Sequence, residues 1–201
     1  CVTGYRLCPD GKCYLNGLSC PANAASLNLS LVYERVVTNP IASRRTKLAK
    51  IVILGKEGAN AGGRWAFSDV PTVYDAAVGG GTYNAVIDIS GVTTSAAGSR
   101  FDIITIGPQH LKKRTDNVTL ITGTNPATGK TGFGLQRAGD INNPAQDNQV
   151  NTLDWEIMRW HFQNINDEAG IIAADLNFDG QVNTLDWDIM RTNFQANGNG
   201  E

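Results

Sequence analysis

Oxygen-bearing side chains recur at a fixed spacing between residues 175 and 186. They fill positions 1, 3, 5, 9 and 12 of a twelve-residue window, and Gly180 stands at position 6. The proposed ligands are Asp175, Asn177, Asp179, the backbone carbonyl of Gln181, Asn183 and Asp186. Ca²⁺ takes roughly six to eight oxygen ligands, and EF-hand loops supply them at these positions with glycine at the sharp turn. The spacing therefore predicts a calcium loop.

A second copy of the pattern lies upstream, in residues 140–154. Aligned from its end across a three-residue insertion, it offers ligands at positions 1, 3, 5, 7, 9 and 12: Asp140, Asn142, Asp147, Gln149, Asn151 and Asp154. Asn148 takes the glycine position, which is acceptable because asparagine visits the left-handed region more readily than most residues. Residues 150–163 match residues 182–195 at 11 of 14 positions. This repetition disfavours an ordinary Asp/Asn turn and predicts two Ca²⁺ sites.

Each loop leads into a segment with helical periodicity. "LDWEIMRWHFQ" and "LDWDIMRTNFQ" place Ile, Met and Phe at helical spacing, which predicts two short amphipathic helices. A full EF-hand also has a helix before each loop, but "TGFGLQRAG" before the first loop is too rich in glycine. Duplicated units of loop plus exiting helix resemble the dockerin family, the small modules by which secreted bacterial proteins bind cohesin partners. The resemblance covers residues 138–196.

The resemblance implies calcium-dependent folding and a helical surface that contacts the partner. In that family the residues after the ninth loop position make the contact, together with a helical position that is Arg here. The corresponding residues are Thr152, Leu153, Arg159, Thr184, Leu185 and Arg191. Because "TLD" and "IMR" recur, the surface would allow binding in either of two orientations. The alternative is that Leu153, Leu185, Trp155 and Trp187 form the core between the helices, since a small module needs its apolar groups for itself.

The larger part of the chain reads as short strands separated by turns. "SLNLSLVYERVV" alternates Leu27, Leu29, Leu31 and Tyr33 on one face, and five more such segments follow up to residue 122. This pattern predicts an antiparallel, Ig-like β-sandwich, and no helical segment intervenes to support a parallel sheet. The expected fold class is mainly β plus small α. The expected domains are a stapled N-terminal segment 1–22, a sandwich 23–122, a linker 123–137 and a dockerin-like domain 138–201.

All four cysteines fall within the first twenty residues: Cys1, Cys8, Cys13 and Cys20. A segment this short needs staples, and "CPDGKC" has turn chemistry, so we favour Cys8–Cys13 nested inside Cys1–Cys20. The rival interpretation is that Cys1 is lipidated. Because the chain begins at Cys1 without methionine, we expect a mature product whose signal segment has been removed. Both interpretations place the protein outside the cytoplasm, at the cell surface or beyond.

Catalysis is not expected. The chain has two histidines, His110 and His161, and neither is near a candidate Ser or Cys nucleophile in the sequence. The carboxylates of the strand-rich part are scattered and form no pair of glycosidase type. A carbohydrate-binding sandwich is a second possibility, with Trp65, Tyr74 and Tyr83 stacking on sugar rings. Neither a nucleic-acid partner nor a transmembrane segment is expected, since no run of about 18 apolar residues exists.

Charge divides the chain into two unlike parts. Residues 1–137 carry 15 Lys/Arg against 8 Asp/Glu, whereas residues 138–201 carry 2 against 11. The basic residues include two clusters, Arg44, Arg45, Lys47 and Lys112, Lys113, Arg114. Opposite charge at the two ends favours head-to-tail contact between copies, which would build a filament or scaffold. We therefore expect a non-catalytic structural subunit; the alternative is a dockerin that anchors a sugar-binding or adhesive module to a separate cohesin.

Overall fold

The fold is mainly β with two α-helices. A computed structural model describes residues 3, 5–7, 13–15, 25–92, 94–95, 97–126, 129–142, 146–162, 168 and 173–199. The strands are β1 (Tyr5–Leu7), β2 (Cys13–Leu15), β3 (Ala25–Tyr33), β4 (Thr46–Gly55), β5 (Arg64–Tyr74), β6 (Thr82–Asp88), β7 (Ser99–Ile106), β8 (Lys113–Leu120), β9 (Gly123–Asn125) and β10 (Thr131–Gln136). The helices are α1 (Thr152–His161) and α2 (Thr184–Asn193). No helix in these described ranges is long and apolar enough to span a membrane.

Strands β3 to β10 form one sheet, and we call residues 25–136 the β-domain. The order is β10-β3-β6-β5-β4-β7-β8, with β9 also paired to β3. The pairs are antiparallel except for those that β3 makes with β9 and β10, which are parallel. One core cluster includes Leu120 of β8 and Phe133 of β10, strands at opposite ends of the order, so the sheet curves around a single core.

The parallel pairs differ from the expected antiparallel topology and fall in the segment predicted to be a linker. Strands β9 and β10 lie within residues 123–137 and extend the sheet on the β3 side. Parallel pairing requires a long connection between the two strands. Because about a hundred residues separate β3 from β10, the chain has ample length to return in parallel. This segment thus joins the two parts of the molecule as part of the sheet.

The predicted core face of β3 is confirmed. Leu27, Leu29, Leu31 and Tyr33 are fully buried, as the period-two alternation of a half-buried strand requires. Tyr83 is also fully buried and stacks against Tyr33 with ring centroids 5.0 Å apart. The alternation therefore located the core strand correctly.

The N-terminal segment contains a small separate sheet. Strands β1 and β2 pair antiparallel, with Leu7 opposite Cys13, so the chain reverses direction between them. The Pro-Asp-Gly sequence that we predict to turn lies outside the described residues. The side chain of Cys13 and the whole of Cys1, Cys8 and Cys20 lie outside the described residues. The disulfide pairing stays a prediction.

Both helices begin with the same capping arrangement. The side chain of Asn151 accepts a hydrogen bond from the N–H of Leu153, and Asp154 completes a capping box; Asn183 does the same for α2. Such caps satisfy N–H groups that the first helical turn leaves without partners. The helices pack on a second core that includes Val150, Met158, Leu176, Val182, Ile189 and Met190. Local sequence thus explains where both helices start.

The helical module and the β-domain each contribute one residue to the core of the other. Phe178 belongs to the second loop, yet it is fully buried in the core of the β-domain, with its ring 6.1 Å from that of Tyr83 and 6.3 Å from that of Tyr33. Leu111 of the β-domain lies in the core of the helical module. The backbone N–H of Val37 donates to the carbonyl of Asn177 at 2.9 Å. These contacts fix the helical module on one end of the sheet.

We predict that Phe178→Ala lowers the free energy of unfolding by about 3–5 kcal/mol, because truncating a buried Phe removes apolar contact and leaves a cavity. Chemical denaturation with calcium present measures the loss. Phe194→Ala is the matched control, since Phe194 is 38% exposed, and it should cost about 1 kcal/mol or less. Equal losses for the two variants would contradict the anchoring role of Phe178.

Candidate calcium loops and docking face

The second loop closes around the carboxylate of Asp186. Its Oδ1 accepts the N–H of Leu176 at 2.7 Å and of Asn177 at 3.1 Å, and its Oδ2 accepts the N–H of Asn183 at 3.0 Å. Position 12 is therefore bonded to the beginning of the loop and to position 9. Because Asp186 also stands in the first turn of α2, the helix fixes where this carboxylate lies.

The first ligand of this loop is held from inside. Asp175 is fully buried; its Oδ2 accepts the N–H of Gly180 at 3.0 Å and its Oδ1 accepts the N–H of Asp179 at 3.1 Å. The Oδ1 of Asn177 accepts the same Asp179 N–H at 2.9 Å. Side-chain oxygens from positions 1 and 3 thus meet at one N–H group. The side chain of Gln181 is exposed, as suits a residue whose backbone carbonyl is the proposed ligand.

The first loop repeats this geometry despite its insertion. Asp154 Oδ1 accepts the N–H groups of Ile141 at 2.7 Å and Asn142 at 3.0 Å, and its Oδ2 accepts the N–H of Asn151 at 2.9 Å. Asp140 Oδ2 accepts the N–H of the residue at position 6 at 3.2 Å. Asp147, at position 5, and Gln149, at position 7, are exposed. The inserted residues 143–145 lie outside the described part of the chain.

The backbone at position 6 has the conformation expected from the sequence. Gly180 has φ +92° and Asn148 has φ +66°, both left-handed. A Cβ at Gly180 would lie 2.9 Å from Cδ1 of Ile41, so the end of that side chain would also have to move. The prediction that Asn148 replaces glycine at this turn is confirmed.

Burial makes the ionised form of the loop carboxylates unfavourable unless a cation lies nearby. Burial, followed by the charges of Asp154 and Asp147, raises the pKa of Asp140 to about 7. Burial is also the main cause that raises the pKa of Asp186 to about 6. The pKa of Asp175 is raised for the same reason, with Arg44 acting in the opposite direction. Ionised carboxylates in such surroundings need a compensating positive charge.

The donor set fits Ca²⁺. Asp140 Oδ1 and Asn142 Oδ1 are buried without a hydrogen-bond partner, so both oxygens are free to coordinate a cation. In the described ranges no three His, Cys, Asp or Glu side chains converge on one point. Amide and backbone oxygens must therefore complete each shell, which suits a hard cation with many oxygen ligands. Bound Ca²⁺ would add positive charge beside the buried carboxylates of both loops.

Position 8 of each loop is an apolar residue that packs in the second core. Val150 of the first loop and Val182 of the second are both buried there. The backbone of Val150 pairs with the C-terminal segment: its N–H donates to the carbonyl of Ala196 at 2.9 Å, and its carbonyl accepts from the N–H of Gln195 at 2.7 Å.

The helical face predicted to contact a partner is open. Leu153 is 59% and Leu185 is 58% exposed, and Thr152 and Thr184 are exposed beside them. The side chains of Arg159 and Arg191 are 68% and 71% exposed. The two leucines are therefore not core residues.

The tryptophans of the helices behave differently. Trp155 and Trp187 pack against each other with ring centroids 4.0 Å apart and border the second core. Trp160 is 81% exposed on α1. The alternative that Trp155 and Trp187 form the core between the helices is thus correct only in part, because they border the second core and are partly exposed. The exposed Trp160 was not singled out from the sequence.

Sequence reasoning also missed the residues that seat the loops on the β-domain. Phe178 and Gln146 both stand at position 4 of their loops, and Gln146 Nε2 donates to the carbonyl of Pro108 at 3.0 Å. Arg44 Nε lies 3.3 Å from Asp175 Oδ2, and Lys47 Nζ lies 4.1 Å from the centre of the Phe178 ring. An apolar residue within an acidic loop was the available signal for Phe178. The sequence gives no corresponding signal for Arg44.

Comparison with protein families matches residues 138–195 to the dockerin type I domain. We call this segment, which matches the dockerin family model, the dockerin module. The family resemblance inferred from the repeated loops is therefore confirmed, and dockerin domains generally bind calcium. No curated protein shows a significant match to the chain.

Solved structures resemble the dockerin and β-domain together. A chain from a C-terminal interface mutant of a type II cohesin–X–dockerin complex of Acetivibrio cellulolyticus aligns with a TM-score of 0.53 and 17% identity, covering 86% of this chain and 97% of that chain. A chain from an N-terminal interface mutant of such a complex aligns with a TM-score of 0.52, at the same identity and coverage. At this identity the likeness concerns the fold.

We predict that calcium affinity rises with pH and levels off above about pH 7, because the ligand carboxylates must lose their protons before metal binds. The pKa is about 7 for Asp140 and about 6 for Asp186. Between pH 8 and pH 5 the first loop should lose about a hundredfold in affinity and the second about tenfold. Calorimetric titration in buffers of different ionisation enthalpy measures both affinity and proton release. Affinities that do not change with pH would contradict the prediction.

Proposed function

We propose that this chain is a non-catalytic structural protein of the cell surface or extracellular space that docks to a cohesin-type partner. The observation that carries the proposal is the exposed helical face of the dockerin, where Leu153 and Leu185 lie open to solvent. The β-domain contacts other residues of the module, among them Asp175 and Phe178. Dockerin-bearing proteins are typically extracellular, and the solved relatives are cohesin–X–dockerin complexes, which favours a cohesin as the partner.

Two bound Ca²⁺ ions would stabilise this docking face. The proposed ligands are those of the two loops, and two ions would change the charge of residues 138–201 from −9 to −5. Asp154 and Asp186 each belong both to a loop and to the first turn of a helix, so metal binding would also stabilise the start of each helix. Calcium removal should therefore disturb the surface that meets the partner and weaken docking.

A non-catalytic role is supported by the state of the polar groups in the β-domain. His110 is fully buried, and burial, with the charge of Lys47, lowers its pKa to about 3. Asp102 is buried and paired with Arg114. These groups lie where a substrate would not reach them, so they favour structural roles.

The other candidate functions receive less support. Head-to-tail assembly rests on opposite charge in the two parts of the chain, but part of that charge is paired within one molecule, as in Arg35–Asp188 and Arg44–Asp175. Sugar stacking would need exposed aromatic rings, whereas Tyr74 is 8% exposed and Tyr83 fully buried. A flat sugar platform from these tyrosines is therefore disfavoured.

We expect the purified chain to bind at least one member of a panel of type I and type II cohesins in the presence of Ca²⁺, and to lose that binding in chelator. Leu153→Asp and Leu185→Asp should together weaken binding about tenfold or more, because they place charge in an apolar contact. Leu135→Asp is the matched control, since Leu135 is 49% exposed but belongs to β10. Binding is measured calorimetrically.

Sedimentation of the chain alone accompanies this test. A monomer that binds a cohesin supports the proposal. Calcium-dependent polymers without any cohesin binding would favour head-to-tail assembly instead, and a chain that does neither would contradict both functions.

The two halves of the docking face are not equivalent. Trp160 on α1 corresponds to Thr192 on α2, so one half carries an extra exposed ring. On α2, Asp188 pairs with Arg35 of the β-domain at 2.9 Å. The β-domain thus borders the α2 half and leaves the α1 half open. This asymmetry favours one orientation of the partner, with α1 making the larger contact.

We predict that Trp160→Thr, which makes α1 resemble α2, weakens cohesin binding about tenfold or more, since exposed Trp side chains often dominate interface energies. The mirror variant Thr192→Trp should change affinity much less, because Arg35 and the β-domain flank that half. Calorimetry on both variants provides the comparison. Equal effects of the two substitutions would show that the halves are used alike.

A further inference from the structure

The two calcium loops meet the β-domain through different chemistry. At the first loop the contacts are neutral hydrogen bonds: the N–H of Lys112 donates to Asn148 Oδ1 at 2.8 Å, and Gln146 donates to the carbonyl of Pro108. The second loop also makes neutral backbone hydrogen bonds, but it adds an ion pair, with Arg44 Nε 3.3 Å from Asp175 Oδ2. The Arg44 side chain is 6% exposed and that of Asp175 is 0% exposed. A buried cation therefore faces the first ligand of one loop.

The β-domain holds Arg44 firmly in this place. A short 3-10 turn, Ala42–Arg44, presents it, and the Arg44 carbonyl accepts the hydroxyl of Tyr83 at 2.8 Å. The N–H of Ile41, at the start of the turn, donates to the carbonyl of Phe178 at 3.3 Å. The turn is thus bonded both to the core of its own domain and to the loop that it faces.

In the part of the chain that the structure describes, the first loop has no ion pair of this kind. Asp140 is fully buried, its Oδ2 accepts a hydrogen bond from the backbone N–H of Asn148, and its Oδ1 has no hydrogen-bond partner. The charge of Lys112 lowers the pKa of Asp140, but by less than burial and the neighbouring carboxylates raise it. A buried carboxylate without a compensating charge is strongly unfavourable, whereas one paired with a buried guanidinium is tolerated. The two related loops therefore lie in different electrostatic surroundings.

We propose that Arg44 is a built-in counter-ion of the second calcium loop, which keeps that loop ordered and seated on the β-domain when calcium is absent. The first loop, which has no such residue among those that the structure describes, depends on calcium for its order. Calcium loss would then release the α1 half of the module while the α2 half stays anchored. The inference rests on the proposed calcium sites and does not require a cohesin partner.

Two backbone amides report on the loops separately. The N–H of Gly180 bonds Asp175, and the N–H of Asn148 bonds Asp140, so each amide loses protection when its own loop opens. Hydrogen exchange followed by NMR, with Ca²⁺ and then in chelator, measures both in the full chain. In the unmodified protein, chelation should make the Asn148 amide exchange at least about tenfold faster than that of Gly180.

Arg44→Gln tests the cause. In chelator this variant should speed exchange at Gly180 by about tenfold or more, and excess Ca²⁺ should remove most of the difference. Arg45→Gln is the matched control, because Arg45 is the exposed neighbour and bonds Asn39 and the carbonyl of Pro40. The control should leave exchange at Gly180 unchanged.

Three results would overturn the inference. In the unmodified chain, equal loss of protection at both amides on chelation would show that the second loop needs calcium as much as the first; this result does not depend on whether a variant folds. Unchanged protection of Gly180 in Arg44→Gln would exclude Arg44 as the cause. If Ca²⁺ altered neither amide, the calcium sites themselves would be refuted, whatever the outcome of cohesin binding.

Discussion

The ring of Phe178 lies in the core of the β-domain, although the residue belongs to a loop whose oxygen-bearing side chains have the spacing of calcium ligands. Its burial among Tyr33, Tyr83 and His110 fixes the second loop against the turn that carries Arg44. The position of that loop determines where α2 begins, because Asp186 belongs to both. The apolar contact of one ring thus sets the orientation of the dockerin relative to the sheet.

The polar side of the same interface explains how an acidic module can rest on a basic one. Asp175 and Asp188 of the dockerin pair with Arg44 and Arg35 of the β-domain. The first pair is buried and the second is exposed, so the second adds little stability but does occupy the border of the α2 half. Charge asymmetry along a sequence need not indicate contact between molecules, since here the opposite charges meet within one chain.

Local rules made the strands, helices and loops of this protein predictable from its sequence. The alternation in β3 located a core face because a half-buried strand has period two, and the two loops were recognised because cation coordination fixes the spacing of its ligands. The parallel strands β9 and β10 were missed, since they are short, rich in Gly and Thr, and pair with a strand about a hundred residues earlier. Arg44 was counted as part of a basic surface cluster; its burial beside Asp175 depends on how two distant segments pack.

Repetition in the sequence would suggest two equivalent sites, and the surroundings make them unequal. Position 4 is Phe in one loop and Gln in the other; the first enters a core and the second bonds backbone carbonyls at its edge. One helix borders Arg35, whereas the other exposes Trp160. A duplicated module has near two-fold symmetry only when it is considered alone. Because the β-domain contacts the two halves differently, it can give a symmetric docking face both a preferred orientation and a calcium dependence that differs between its loops.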